Sequence, residues 1–191
     1  MITDDFCAVA LAFVREKRRP HVLGCAAEAV RLAERWGTDA ELAETAALLH
    51  DCTKAENLDG QLKMCEKYGI IIGEAEFASP GILHAMTGEA LARERFSPPE
   101  EVLSAIRWHT TGRPDMSLLE KIIFLADLIE PTRDFPSIAE IRVLAYENLD
   151  TALKTGVAGI LKMLIDERKP IYPATIETYN FLTKQKKTLD R

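Results

Sequence analysis

Imidazole and carboxylate groups recur along this chain in an order that suits a cluster of metal ions: His21, His50 with Asp51 directly after it, His84, His109 and Asp127. No other histidine occurs in the sequence. Such ligands suit divalent iron, manganese, cobalt, nickel or zinc, and six of them exceed what one tetrahedral ion takes but serve two ions sharing a bridge. A histidine taken singly more often satisfies its ring against a backbone carbonyl than it binds metal, so the combination carries the argument. His50 and Asp51 close an apolar run, where a fraying helix end lets neighbouring side chains converge as consecutive mid-helix positions rarely do. Asp127 lies between Ala126 and Leu128 in a strongly apolar stretch. A carboxylate there needs a cation or several donors, or caps a neighbouring helix.

Helices must deliver these groups. Thr3 or Asp4 can cap a first helix whose Phe6, Val9, Ala10, Phe13 and Val14 share a face, with the basic run Arg15 to Arg19 at its negative end. Pro20 opens a second, ending at Trp36 with Gly37 as left-handed stop, so His21 falls in its first turn. Thr38 and Glu41 have capping-box spacing ahead of the apolar run that ends in His50 and Asp51. Asn57 opens a short helix closed by Gly69, and Ile70 to Gly73 reads as loop because a lone strand has no partner. Ser79 and Pro80 start the helix of His84, which ends near Phe96; Ser97 to Glu100 start the next, bringing Arg107 and His109 to its end. Ser117 caps Leu118 to Ile129, Ser137 and Glu140 form a second capping box before Ile138 to Glu147, and a longer helix runs from Leu149 to about Glu167. Pro170 and Pro173 precede a last amphipathic helix, and the polar tail Lys184 to Arg191 is expected to fray. Helical periodicity throughout and no internal repeat predict an all-α, single compact domain over residues 1–191, with its core at about 19–179.

With 191 residues and 47% hydrophobic content the chain can bury one core. A net charge of −6 opposes binding to nucleic acid polymers or an anionic membrane surface, while a small anionic ligand held by local positive charge remains compatible. Cys7, Cys25, Cys52 and Cys65 lack Cys-x-x-Cys spacing and fit buried free thiols in a reducing cytoplasm. No apolar stretch reaches the roughly 18 residues of a spanning helix, and nothing marks the chain as secreted.

The ordered set His21, His50-Asp51, His84, His109, Asp127 resembles the HD-domain superfamily of metal-dependent phosphohydrolases, in its extended form with two further histidines. That resemblance implies that His21, His50, Asp51 and Asp127 hold one metal, that His84 and His109 hold another, and that Asp51 bridges them. The segments His50-Asp51-Cys52-Thr53-Lys54, His109 to Pro114 and Ala126 to Pro131 with Arg133 are similar to the YqeK group. For that group the implied reaction is symmetric hydrolysis of diadenosine tetraphosphate to two ADP with iron. The likeness covers about Arg19 to Tyr179 and departs at Cys52, where an aromatic residue is the family's pattern.

The resemblance implies a nucleophilic hydroxide shared by two ions about 3.5 to 4 Å apart, with Asp51 and Lys54 as catalytic residues. The ions are expected to be iron, with manganese or another transition metal as substitutes. Lys54 is one helical turn past Asp51 and can hold a phosphate or the leaving oxygen; a solvated lysine is the duller reading. Arg107 and Arg133, tied to ligand-bearing helix ends, are assigned phosphate contacts ahead of Arg113. Thr110, Thr111 and Gly112 form a turn that can contact phosphate or ribose, or merely cap a loop. The run Arg15, Lys17, Arg18, Arg19 can steer an anionic nucleotide inward. Trp36 and Trp108 read first as core residues, with Trp108 a candidate platform for a base. The expected ligand is a dinucleoside polyphosphate or nucleoside diphosphate, and a homodimer is compatible. Competing readings are a di-iron oxygenase on the same scaffold, a phosphohydrolase of another nucleotide, and a nucleotide-binding regulator without turnover; Lys54, Arg107 and Arg133 favour hydrolysis.

Overall fold

The computed structural model describes residues 4–184, and among them there are helices and no strand. Eleven α-helices follow in order: α1 (Asp4–Ala12), α2 (Arg19–Trp36), α3 (Ala40–Leu49), α4 (Leu58–Tyr68), α5 (Glu74–Ala78), α6 (Leu83–Phe96), α7 (Glu100–Trp108), α8 (Leu118–Ile129), α9 (Ile138–Glu147), α10 (Leu149–Asp166) and α11 (Pro173–Lys184). Single 3-10 turns precede α2 and α6.

α2 lies against both α3 and α8, which also touch each other. Both helices bury small residues, Cys25, Ala26, Ala29 and Ala33 on α2 and Ala43, Ala46 and Ala47 on α3. Short side chains let the two backbones approach closely, drawing the start of α2 towards the end of α3. α8 supplies the bulk: Ile122, Ile123, Leu125 and Ile129 are fully buried. At about 1.5–3 kcal/mol for each large aliphatic side chain removed from water, this helix is the main apolar anchor of the site. α7 touches both α6 and α8, α9 and α10 each touch α8 and each other, and α11 packs on α10.

Most helix boundaries follow the punctuation of the sequence. Gly37 and Gly69 end α2 and α4 at φ +75 and +66, values an L side chain adopts only with strain. Ser117 caps α8 and Glu120 returns the bond, completing a capping box. Elsewhere the structure differs. Asp39, not Thr38, caps α3: the helix starts at Ala40, one residue later than the capping-box spacing implies, and the Asp39 carboxylate accepts from Glu41 and Leu42 N–H. Ser137 has φ +72 and makes no cap bond, so the second capping box does not form. The helix of His84 begins with a 3-10 turn at Pro80 and becomes α at Leu83, and the five-residue α5 before it has no apolar period long enough to announce it. α1 ends at Ala12, leaving Val9 more than half exposed while Val14, beyond the helix, is buried. Thr3 and, apart from Lys184, the polar tail lie outside the described residues. The four cysteines are free thiols, and three of them are buried. Among the described residues no helix is long and apolar enough to cross a membrane.

Candidate metal centre

Five helices bring the six predicted ligands together. His21 sits in the first turn of α2, His50 caps the end of α3 with Asp51 next, His84 starts α6, His109 caps the end of α7, and Asp127 is near the end of α8. The histidines and Asp51 are buried, and Asp127 is partly open to solvent.

Each ring is oriented by an acceptor behind it. Nδ1 of His50, His84 and His109 lies 2.6, 2.6 and 2.7 Å from the carbonyls of Ala47, Gly81 and Ile106. Nδ1 of His21 lies 2.9 Å from Glu130 Oε1. Carbonyl and carboxylate oxygens only accept, so Nδ1 carries the proton in all four rings and Nε2 presents its lone pair. These lone pairs face one another: Nε2 to Nε2 is 3.4 Å for His21 and His50 and 3.1 Å for His84 and His109. Two facing lone pairs repel unless a cation or proton lies between them.

Asp51 divides its oxygens between the two pairs. Oδ2 is 3.4 Å from His50 Nε2 and 3.8 Å from His21 Nε2, whereas Oδ1 is 3.3 Å from His84 Nε2 and 3.8 Å from His109 Nε2. Asp127 Oδ1 joins the first group, 3.1 Å from His21 Nε2 and 3.9 Å from His50 Nε2. For ligand bonds of about 2.1 Å, neighbouring donors stand about 3.0 Å apart around an octahedral ion and about 3.4 Å around a tetrahedral one. The observed separations fall in that range or slightly outside it. His21, His50 and Asp127, and likewise His50, Asp51 and His109, have donor atoms close enough for one ion.

A cation stands beside each carboxylate. Arg18 Nε lies 2.5 Å from Asp51 Oδ2, and Arg133 Nη2 lies 2.5 Å from Asp127 Oδ1. Burial disfavours charge on Asp51 and Asp127, yet the histidines, with Arg133 for Asp127, outweigh it and hold both carboxyls far below the usual range. Lys54 Nζ lies 3.1 and 3.2 Å from the two nitrogens of His84, and burial lowers its pKa. Burial and the neighbouring His50 push His109 down to about 4, and His84 is lowered in the same sense, chiefly by burial. His50 moves the other way: burial opposes its charge, but Asp51 beside it raises it.

The metal-free fold should therefore weaken in acid. Between the unfolded value of about 6.5 and the folded value of about 4, an unfolded His109 takes up a proton that the folded one refuses. His84 adds to this and His50 opposes it, so two of the three rings favour unfolding as the pH falls. His109 alone contributes roughly 3 kcal/mol over that window at 1.36 kcal/mol per pKa unit. Allowing for His50, we expect the thermal midpoint of chelator-stripped protein to drop by about 5 °C between pH 7.5 and 4.5. An unchanged or rising midpoint would contradict the assigned protonation states.

The other predicted contacts are placed unevenly. Thr110 Oγ1 stands 3.0 Å from His109 Nε2 and 3.3 Å from His84 Nε2, at the centre itself. Thr111 is buried with its hydroxyl donating to the Gly112 carbonyl, and Gly112 has φ +64 with Thr178 so close that a Cβ would meet it at 2.8 Å. Both shape the turn and tie it to α11. Arg107 stacks 4.5 Å over the Trp108 ring and lines a cleft of about 440 Å³ with Tyr68, Met86 and Glu89, a cleft that none of the six ligands lines. Arg113 is paired with buried Glu120, and Trp36 donates to the Ala145 carbonyl. Two residues of the centre were not singled out by sequence reasoning. Glu130, fully buried, orients His21 and accepts from Thr132 N–H at 2.7 Å; a glutamate three residues beyond Asp127, just before the helix-ending Pro131, was the available signal. Arg18 was one of several cations in a basic run, and nothing in that run distinguished it.

The chain is similar to known proteins over most of its length. The model of the HD domain matches residues 18–132. The chain is 39% identical to a protein of Halalkalibacterium halodurans named bis(5'-nucleosyl)-tetraphosphatase, symmetrical, over 90% of this chain and 92% of that one. It is 38% identical to the protein of the same name from Bacillus subtilis, over 91% and 95%. The crystal structure of a predicted HD superfamily hydrolase involved in NAD metabolism, from Clostridium acetobutylicum, superposes with a TM-score of 0.91 at 38% identity, covering 97% of this chain and 99% of that one.

Proposed function

The chain belongs to the HD domain family, and from that premise we propose that it is a binuclear nucleotide phosphohydrolase cleaving diadenosine tetraphosphate symmetrically into two ADP. One observation carries the reading: the two oxygens of Asp51 face two different pairs of histidine Nε2 atoms, so a single carboxylate joins two ligand sets. The substrate is the one for which relatives 38 and 39% identical over nearly their whole length are named.

In this reading His21, His50, Asp51 and Asp127 hold one ion, and His84, His109 and the other oxygen of Asp51 hold the second. We favour iron, which imidazole and carboxylate suit, with manganese or another transition metal able to replace it. When bound, the ions supply Lewis-acid charge to phosphoryl oxygens and lower the pKa of coordinated water towards neutrality. The remaining work falls to the chain. Arg18 and Arg133, which pair with ligand carboxylates, have further N–H groups to turn onto non-bridging phosphate oxygens with bidentate geometry. Lys54 places its ammonium beside His84, where it can hold a phosphate or the leaving oxygen as a point charge. The Thr110 hydroxyl can donate to a phosphoryl oxygen in the same space. All four imidazoles commit Nδ1 to acceptors, so none is free as a general acid; a departing nucleoside diphosphate is weakly basic and needs little protonation. The six ligands come from one chain, so a homodimer would add none. We read the whole chain as one HD-type domain, and the free thiols support a reducing cytoplasm as its location.

Purified protein supplied with iron or manganese should convert diadenosine tetraphosphate to ADP alone. AMP plus ATP would contradict symmetric cleavage, and no conversion with any divalent ion would remove the substrate assignment. Turnover should persist without oxygen; a strict oxygen requirement would favour the di-iron oxygenase instead.

A further inference from the structure

The second ligand set depends on two stretches far apart in sequence, the turn after α3 that carries Asp51 and Lys54, and the first turn of α6 that carries His84. A buried polar clip ties them together. Gln61 of α4 is 5% exposed, and its amide is held at both ends: Nε2 donates to the Thr53 carbonyl at 2.7 Å and Oε1 accepts from Thr87 Oγ1 at 2.6 Å. Thr53 Oγ1 donates to the His84 carbonyl at 2.8 Å and lies 2.9 Å from Thr87 Oγ1. Thr53 and Thr87 are as buried as the core. The two segments are in van der Waals contact at this point, where a Cβ on Gly88 would lie 3.6 Å from the His50 carbonyl and 3.5 Å from Thr53 Oγ1.

Fully paired buried polar networks rigidify what they join, and their bonds are directional where apolar packing is not. They fix the register between Asp51, two residues before Thr53, and His84, three residues before Thr87. The first ligand set draws its register differently, from the apolar α2–α8 contact and from Glu130 behind His21. It also has four protein ligands, whereas the second has three, one of them shared. A small slip of α6 against the turn therefore removes a larger part of the second set than of the first.

We infer that Gln61, Thr87 and Thr53 form a positioning clip that sets the affinity of the second metal site by holding His84 against Asp51. This rests on the two-ion reading above. The test titrates Mn²⁺ into the chelator-stripped full chain by calorimetry, with bound metal counted after dialysis. Thr87→Val removes the hydroxyl at nearly constant volume, Gln61→Met removes the amide at similar length, and Thr87→Ser restores the hydroxyl. Wild type and Thr87→Ser should bind two ions. Thr87→Val and Gln61→Met should keep the first ion within about twofold and bind the second about 10- to 100-fold more weakly, the range found for residues that orient metal ligands. Second-ion affinity within twofold of wild type in both variants, or equal weakening of both ions, overturns the inference. If Gln61→Met does not fold, the valine and serine pair decides alone. A wild-type chain binding fewer than two ions overturns the two-ion reading itself, and the clip with it.

Discussion

Replacing Asp51 by alanine should strip both ions at once and lower turnover of diadenosine tetraphosphate by at least about 10³-fold, the scale expected when positioned charge and an activated water are lost together. Asp51 turns one oxygen to each ligand set, 3.4 Å from His50 Nε2 and 3.3 Å from His84 Nε2. Removing any one histidine should instead affect mainly its own set. The Asp51 variant also leaves Arg18 without the carboxylate it pairs with, adding an unneutralised cation where metal would enter. Metal content and kcat/KM measured on the same preparation decide the matter. Near-normal turnover, or one ion retained at full occupancy with high activity, would show that Asp51 does not bridge.

Arg133→Ala should lower kcat/KM about 10²-fold while bound metal stays near the wild-type level. Its Nη2 lies 2.5 Å from Asp127 Oδ1 and its Nε 2.9 Å from the Asp127 carbonyl, so the guanidinium stands at the edge of the first ligand set with N–H groups to spare. The Arg133 carbonyl accepts from Arg142, which anchors the backbone independently of the side chain. A guanidinium that moves from ligand carboxylate to phosphate contributes charge-assisted, bidentate contact that an ammonium reproduces poorly. Arg133→Lys should therefore recover only part of the loss. If kcat and KM in the alanine variant stay within twofold of wild type while metal affinity falls, Arg133 merely steadies Asp127 and has no part in holding phosphate.

The sequence displayed more of the metal centre than of its surroundings. Histidine and aspartate carry their ligand chemistry in any context, and each fell next to a recognisable helix start or stop. Contacts to substrate were harder to read, because a surface arginine has a long side chain and its target depends on which neighbours are near. Arg107 and Arg133 are both tied by sequence to ligand-bearing helix ends, yet one stacks on Trp108 beside a separate cleft and the other grips Asp127. Thr110 and Thr111 are adjacent and chemically identical, but one faces the histidines and the other is turned into the core. Gln61 gave no sign of itself: a lone glutamine in a short amphipathic helix is ordinary until α6 is laid against it.

Composition and local pattern by themselves established a helical chain, the inventory of donor groups and the helix ends on which they ride, since propensity, capping and ligand type are properties of residues and their near neighbours. Which donors approach one another, which oxygen of Asp51 faces which histidine pair, and which cations stand over the centre were decided only by tertiary packing. Those relations depend on how closely the small faces of α2 and α3 approach and on the register of α6 against the turn after α3, distances of a few ångströms between segments that no local rule connects.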